Sequence, residues 1–208
     1  MTWCRHLVIF AKAPRLGAVK TRLARGIGAL EAWSFYRHAS ARVIRELAAD
    51  RRWRTLLAVT PDRFAGPDGC IPLWPRHVPR LAQGPGDLGA RMARPFARLG
   101  PGPVVIVGTD IPDLTRGAVW RAFQALGSHD AVFGPADDGG YWLIGLRRCP
   151  RRLSPFGGVR WSGPNALADT RANLEGARVA YLDVLNDIDM PADYAAWRQA
   201  RSAGRQML

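Results

Sequence analysis

Two lysines stand out in a chain that otherwise uses arginine. Of its 30 basic residues only Lys12 and Lys20 are lysine, and both fall in the stretch His6–Leu23 together with Arg15 and Arg22. A lysine ammonium is a compact, mobile point charge suited to single contacts with phosphate. Pro14 and Gly17 break the chain between them, and a loop that leads into a helix start leaves backbone N–H groups free for an anion. The complementary chemistry lies further on. Asp110 follows the apolar run Val104–Gly108, where a carboxylate can take Mg²⁺ or Mn²⁺ and bridge it to a diphosphate. Asp187 and Asp189 alternate, so in extended chain they project to one side. Each is a candidate metal ligand, and Asp189 is equally a candidate N-cap. Asp137-Asp138-Gly139-Gly140 offers a carboxylate, Asp138, as general base beside open backbone, or simply a tight turn. Lys20 is expected to face Asp110 across a gap wide enough for a pyrophosphate.

These residues need a scaffold that brings strand ends together. Leu7–Phe10 reads as a buried strand, followed by the cationic loop and a helix capped by Thr21 and running toward Ala48. Thr55–Thr60 is a second strand stopped by Pro61, and strand–helix–strand opens a parallel sheet. Arg63–Pro79 is irregular, with a short strand near Ile71–Trp74. Gln83–Met92 is a second glycine-bearing turn with Asp87 as N-cap, either a capped turn and nothing more or a place where Gly84 and Gly86 let backbone approach a nucleotide closely and Arg91 faces its phosphates. Leu88, Met92, Phe96 and Leu99 form the buried face of its helix. Val104–Gly108 is the central parallel strand, with Asp113 placed to cap the helix Thr115–Leu126. Asp130–Phe133 and Tyr141–Leu146 flank an Asp-Gly hairpin, Pro150–Gly163 is a candidate lid, Asn165–Leu174 is helical, and Arg178–Leu185 is the last strand before a helix opened by Pro191. Arg147, Arg148, Arg151 and Arg152 are candidates for an anionic acceptor, or a solvated basic loop.

Composition bounds the rest. A chain of 208 residues with 48% hydrophobic and 23% charged content reads as one domain spanning 1–208. The formal charge of +13 favours anionic partners, but the arginines are scattered and no helix-turn-helix, zinc-finger or RNP signature accompanies them, which argues against specific nucleic-acid reading. The three cysteines form no C-x-x-C pair, so neither a disulfide framework nor a zinc site is implied. There is no signal-peptide pattern and no apolar run near the ~20 residues of a membrane span, so a soluble cytoplasmic protein is expected.

Four motifs together resemble a known group. The phosphate loop, the strand ending in Gly108-Thr109-Asp110-Ile111-Pro112, the Asp137-Asp138-Gly139-Gly140-Tyr141 hairpin and the terminal Asp187-Ile188-Asp189-Met190-Pro191 resemble the nucleotide-diphospho-sugar transferase superfamily. Phe10-Ala11-Lys12-Ala13-Pro14, Val19-Lys20-Thr21-Arg22-Leu23, Gly86-Asp87-Leu88-Gly89 and Gly134–Tyr141 look more closely like the bacterial glycosyltransferase-like family linked to arsenosugar biosynthesis clusters. The resemblance implies a Rossmann-like glycosyltransferase-A fold: an α/β domain with a mixed, mostly parallel sheet and helices on both faces. It implies a nucleotide over the first strand's loop and a divalent ion on Asp110, completed by Asp189 or Asp187. Candidates for holding nucleotide or phosphate are Ala11, Lys12, Pro14, Arg15, Lys20, Arg22, Gln83 and Arg91, with Lys20 and Asp138 as catalytic candidates.

The reading that follows is a metal-dependent glycosyltransferase using a nucleotide sugar and a small-molecule acceptor. Related branches of the superfamily are nucleotidyltransferases. Position 108 is Gly and 109 is Thr, so the strand end carries a single aspartate and not Asp-x-Asp. That departure favours the alternative, coupling of an NTP to a phosphorylated metabolite with release of pyrophosphate. A third reading, from the charge alone, is a non-catalytic nucleotide or nucleic-acid binder.

Overall fold

The computed structural model describes residues 4–66, 69–149 and 152–206. Its elements are β1 (His6–Lys12), α1 (Thr21–Ile27), α2 (Ala29–Ala48), β2 (Arg54–Thr60), β3 (Arg80–Ala82), α3 (Leu88–Arg98), β4 (Val104–Gly108), α4 (Arg116–Ala125), β5 (Ala131–Pro135), β6 (Tyr141–Leu146), α5 (Ala166–Ala172), β7 (Val179–Tyr181) and α6 (Pro191–Gln206). They build one mixed sheet of seven strands in the order β3-β2-β1-β4-β6-β5-β7. β6 alone among these runs against its neighbours, antiparallel to both β4 and β5. β4 is therefore central but pairs in parallel only with β1.

Alternation along β1 splits the core into two layers. Leu7 and Ile9 point into a cluster with Ile44 and Leu47 of α2 and Val119 and Phe123 of α4. Val8 points the other way, toward Met92 and Phe96 of α3, Phe133 and Leu174. A strand buried on both faces is apolar throughout, which is why β1 and β4 read as continuous runs. The chain leaves β1 toward β2 on one side and reaches β4 on the other. That reversal opens a crevice at the carboxyl ends of β1 and β4, the usual ligand position in open α/β sheets.

Several local expectations are corrected. The helix expected to run on to Ala48 is interrupted at Gly28, whose φ of 87° and ψ of 151° are not helical, leaving α1 only seven residues long. Its N-cap position is Lys20 and not Thr21, and no side chain caps it. No strand forms at Ile71–Trp74, since Pro72 and Pro75 remove ladder donors. Ile71 and Trp74 instead bury their side chains against the α2 layer, and the edge strand is Arg80–Ala82. Thr115, not Asp113, caps α4, its hydroxyl accepting from the Ala118 N–H. Leu88 is exposed although Met92 and Phe96 of the same helix are buried. β7 is three residues long, and the rest of Arg178–Leu185 continues only as single bonds, Leu182 N–H to Phe133 and Leu185 N–H to Pro135. Among the described residues no helix is long and apolar enough to cross a membrane.

Candidate active site

The end of β1 and the end of β4 are pinned by one side chain. Tyr36, buried on α2, takes a hydrogen bond from the Lys12 N–H (3.1 Å), donates to the Lys12 carbonyl (2.9 Å) and lies 3.3 Å from the Thr109 hydroxyl. Burial, and then the charge of Asp110, hold the phenol well above its ordinary pKa, so it stays neutral. In sequence Tyr36 falls at helical spacing with apolar residues of α2 such as Val43, Ile44 and Leu47. Its hydroxyl, one polar atom on an apolar face, was the available signal for a partner there.

Beyond this pin the chain turns through Pro14–Val19. The Pro14 carbonyl accepts from the Trp33 indole N–H (2.8 Å), which anchors the loop to α2. At Lys20 the backbone adopts left-handed φ 48° and ψ 44°. The side chain then runs inward, and its ammonium lies 2.8 Å from Asp110 Oδ1 and 2.5 Å from Asp189 Oδ1. Lys20 and Asp110 thus share one rim of the sheet, but in contact, with no room for a pyrophosphate between them. Asp189 is held from its own side as well. The Asp193 carboxylate accepts from the N–H groups of Asp189 (3.1 Å) and Met190 (2.7 Å), and Ile188 N–H donates to the Asp110 carbonyl (3.2 Å). Asp193 serves the start of α6, and the Asp189 carboxylate is free for Lys20.

Two cavities meet at these acids. One of about 360 Å³ lies over β1 and is lined by Ala11, Lys12, Lys20, Thr21 and Gln83 among others. The other, about 530 Å³, lies over β4 and the hairpin, lined by Met92, Asp138, Tyr141, Trp142, Trp161 and Asp187 among others. Phe10, Arg22, Leu88, Asp110 and Asp189 belong to both walls. Gln83 is fixed in the first by donating its amide to the Ala58 carbonyl (2.8 Å). Asp138 at the second holds its turn, Oδ1 accepting from Gly140 N–H (2.8 Å).

Residues 43–163 match the model of a family described as uncharacterized protein conserved in bacteria, DUF2064. The chain belongs to the DUF2064 family. None of the curated proteins matches it. Among solved structures, it is similar to a candidate nucleotide-diphospho-sugar transferase of Desulfovibrio desulfuricans G20, with 29% identity over 97% of each chain and a TM-score of 0.80. It shares its fold with Rv0371c of Mycobacterium tuberculosis H37Rv in complex with manganese (16% identity, 94% and 98% of the chains, TM-score 0.55). It shares it also with CMP:2-keto-3-deoxy-manno-octonic acid synthetase complexed with CTP (9% identity, 99% and 100%, TM-score 0.57).

Not every candidate reaches the cavities of this DUF2064 chain. Ala11, Lys12, Lys20, Arg22 and Gln83 line the first, while Pro14 and Arg15 sit in the turn outside it. Arg91 does not face it either, because its Nε donates to the Gly86 carbonyl (2.9 Å) and closes the glycine turn. Arg94 clamps the same turn through the Gln83 and Pro85 carbonyls. Arg148 bonds the carbonyls of Leu99, Gly100 and Gly102, at the opposite end of β4 from Asp110. It is a structural clamp and not an acceptor contact. Pro150 and Arg151 lie outside the described residues. From the segment expected as a lid, Trp161, Ser162 and Gly163 line the second cavity. Thr21, Leu88, Thr109, Tyr141, Trp142 and Trp161 were missed as lining residues, since apolar and hydroxyl side chains carry no signal beyond core or cap.

The electrostatics of the acids are unbalanced. Burial, then the charge of Asp189, with Asp110 and Asp138 adding and Lys20 opposing, push the Asp187 carboxyl up to about 6. A carboxyl whose folded pKa exceeds its unfolded one costs stability once ionised. The unfolded chain releases that proton near pH 4 and the native chain near pH 6, so stability declines as pH rises through this window. Asp187→Asn is expected to raise the melting temperature at pH 8 in chelator by about 2–4 °C, from on the order of 1 kcal/mol after allowance for solvent screening. At pH 4 the two proteins should melt alike. Equal melting at pH 8 would show that Asp187 bears no such load.

Proposed function

We propose that this protein is a metal-dependent transferase acting on a nucleotide-diphospho compound, and that the reaction is glycosyl transfer from a nucleotide sugar. The observation that carries the reading is the shared wall: one cavity rich in backbone and cations, one rich in aromatics and acids, meeting at Asp110 and Asp189. A donor seated over β1 would then present its diphosphate at that wall and its sugar to the second cavity.

The residues suit a divalent ion. Carboxylate oxygens are hard donors for Mg²⁺ or Mn²⁺. Three aspartates, 110, 187 and 189, stand against one lysine, and burial first, with the neighbouring Asp189 and Asp110 charges adding, holds the Asp187 carboxyl above its ordinary pKa. Among the described residues no group of three or more His, Cys, Asp or Glu forms a ready cage. Ions such as Mg²⁺ are commonly held by one or two carboxylates and completed by substrate phosphate. Asp110 and Asp189 would hold the ion, with Asp187 beside them, and the ion would stabilise charge developing on the departing diphosphate.

The chain's own groups supply the rest. Lys12 and Arg22, both exposed on the first cavity's wall, would hold the diphosphate oxygens. Asp138, with Oδ1 committed to Gly140, would receive the acceptor's hydroxyl proton on Oδ2. The acceptor oxygen bonds the anomeric carbon while the bond from that carbon to the diphosphate breaks, and the nucleoside diphosphate leaves with the electron pair. Arg22 is the sole cation among the described residues lining the second cavity, against four aspartates. That balance supports an uncharged or cationic hydroxyl acceptor with an apolar face for Trp161 and Tyr141.

The single aspartate at the end of β4, and the fold shared with a synthetase bound to CTP, favour a second reading, nucleotidyl transfer from an NTP. Product analysis separates the two. With Mn²⁺ and a panel of nucleotide sugars, glycosyl transfer releases nucleoside diphosphate and no pyrophosphate. Pyrophosphate from an NTP in the presence of cell metabolites would reassign the reaction. Neither product under any condition would overturn both.

A further inference from the structure

Lys20 belongs to a cationic loop, yet its ammonium is turned inward. Its side chain is 4% exposed, whereas those of Asp110 and Asp189 are 47% and 39% exposed. Both carboxylates give Oδ1 to the same ammonium, and among the described residues neither Oδ2 has a hydrogen-bond partner. The cation lies beneath the acids, which retain an open side toward the cavities. Burial works against the Lys20 charge, but the two carboxylates outweigh it and hold its pKa above the ordinary value.

We propose that Lys20 is a positioning residue, a buried clasp that holds Asp110 and Asp189 side by side for a divalent cation, and that it is not a phosphate ligand. The inference rests on the metal-dependent reading above. Its physical basis is charge and reach. Two carboxylates brought together without a cation repel, so one would take up a proton or swing away. A single ammonium below them reduces their net charge from about −2 to −1, which removes the repulsion and leaves attraction for a divalent ion. The clasp ties three separate elements, the start of α1, the end of β4 and the chain before α6. The left-handed backbone at Lys20 is the local device that turns the side chain inward. With two of its three N–H donors given to the acids and its side chain 4% exposed, the ammonium offers a phosphate little surface. Lys12 and Arg22 are exposed on the first cavity's wall.

The test uses Mn²⁺ titration followed by the paramagnetic resonance signal of the free ion, and calorimetry of a nucleoside diphosphate in chelator. For Lys20→Met the expected result is Mn²⁺ binding weakened about tenfold or more, as for other groups that orient metal ligands. Metal-free affinity for the diphosphate should change less than twofold. Unchanged or tighter Mn²⁺ binding would overturn the clasp, tighter binding meaning that Lys20 competes for the site. A tenfold loss of metal-free diphosphate affinity would also overturn it, making Lys20 a phosphate ligand. If the wild-type protein binds no Mn²⁺ with or without nucleotide, the metal-dependent reading itself fails, and the clasp with it.

A second measurement needs no variant. Lys12 and Lys20 are the chain's only lysines, so acetylation by an activated ester, mapped by mass spectrometry, reads each directly. Lys12 should label readily, and Lys20 should be protected at least tenfold both with and without the diphosphate. Lys20 labelling as fast as Lys12 in the free protein would overturn the proposal.

Discussion

Asp110→Asn is expected to reduce turnover of the nucleotide substrate by roughly 10²–10³-fold, the scale of removing one group aimed at transition-state charge, while the protein stays folded. The substitution keeps volume and hydrogen-bonding capacity and removes one charge from a side chain that is half exposed. Lys20 retains Asp189 at 2.5 Å, so its ammonium is not left buried and unpaired, the condition that makes breaking such a pair costly. The loss should appear in kcat more than in KM, because phosphate oxygens would still meet Lys12 and Arg22. Mn²⁺ binding should weaken in parallel. Steady-state kinetics over an Mn²⁺ series decides the point. A variant with wild-type kcat at saturating Mn²⁺ would remove Asp110 from the chemistry and leave its pairing with Lys20 as the whole of its role.

The strands were legible in sequence because strands buried on both faces must be apolar, and β1, β2 and β4 are. The crevice was legible too, since a parallel strand order that reverses leaves strand ends together. What escaped was whatever depends on side-chain direction. Lys12 and Lys20 are the same residue type eight positions apart, yet Lys12 is exposed and the Lys20 side chain is buried, beside a left-handed backbone position that no composition signals. Asp189 reads equally well as cap or ligand in sequence, and only the fold shows that Asp193, four residues on, takes the backbone bonds at the helix start. Arg91 and Arg148 looked free on charge grounds, but arginine's fork suits carbonyl groups, and both are spent closing turns. The formal charge of +13 is likewise a poor guide to binding. Arg52 stacks on Trp120 and Trp53, and Arg116, Arg121 and Arg160 pair with Glu46, Asp183 and Asp169.

Gly139→Ala should cost about 2–4 kcal/mol, combining backbone strain with an overlap that cannot relax by side-chain rotation. Gly139 has φ of +82°, where an L side chain is disfavoured. An added Cβ would overlap the Pro164 carbonyl and lie 2.6 Å from the Pro164 Cα, so backbone would have to move on one side or the other. The hairpin would have to separate from the segment before α5, and the bond from Leu167 N–H to the Gly139 carbonyl (3.0 Å) would be the first affected. Gly17→Ala is the matched control. Its φ is +73° but nothing lies within 4 Å of the added atom, so only the backbone term, about 1 kcal/mol, should appear. Melting curves of the two variants should therefore differ by several degrees. The functional consequence is as specific. Asp138, Gly140 and Gly163 line the second cavity, and no hairpin residue lines the first. Nucleotide binding by the folded variant should persist while acceptor-dependent turnover falls, because the groups displaced face only the second cavity, proposed above for the acceptor. A Gly139→Ala protein that loses nucleotide affinity together with turnover would mean that the two cavities do not divide donor from acceptor, and the assignment of Asp138 as base would go with them.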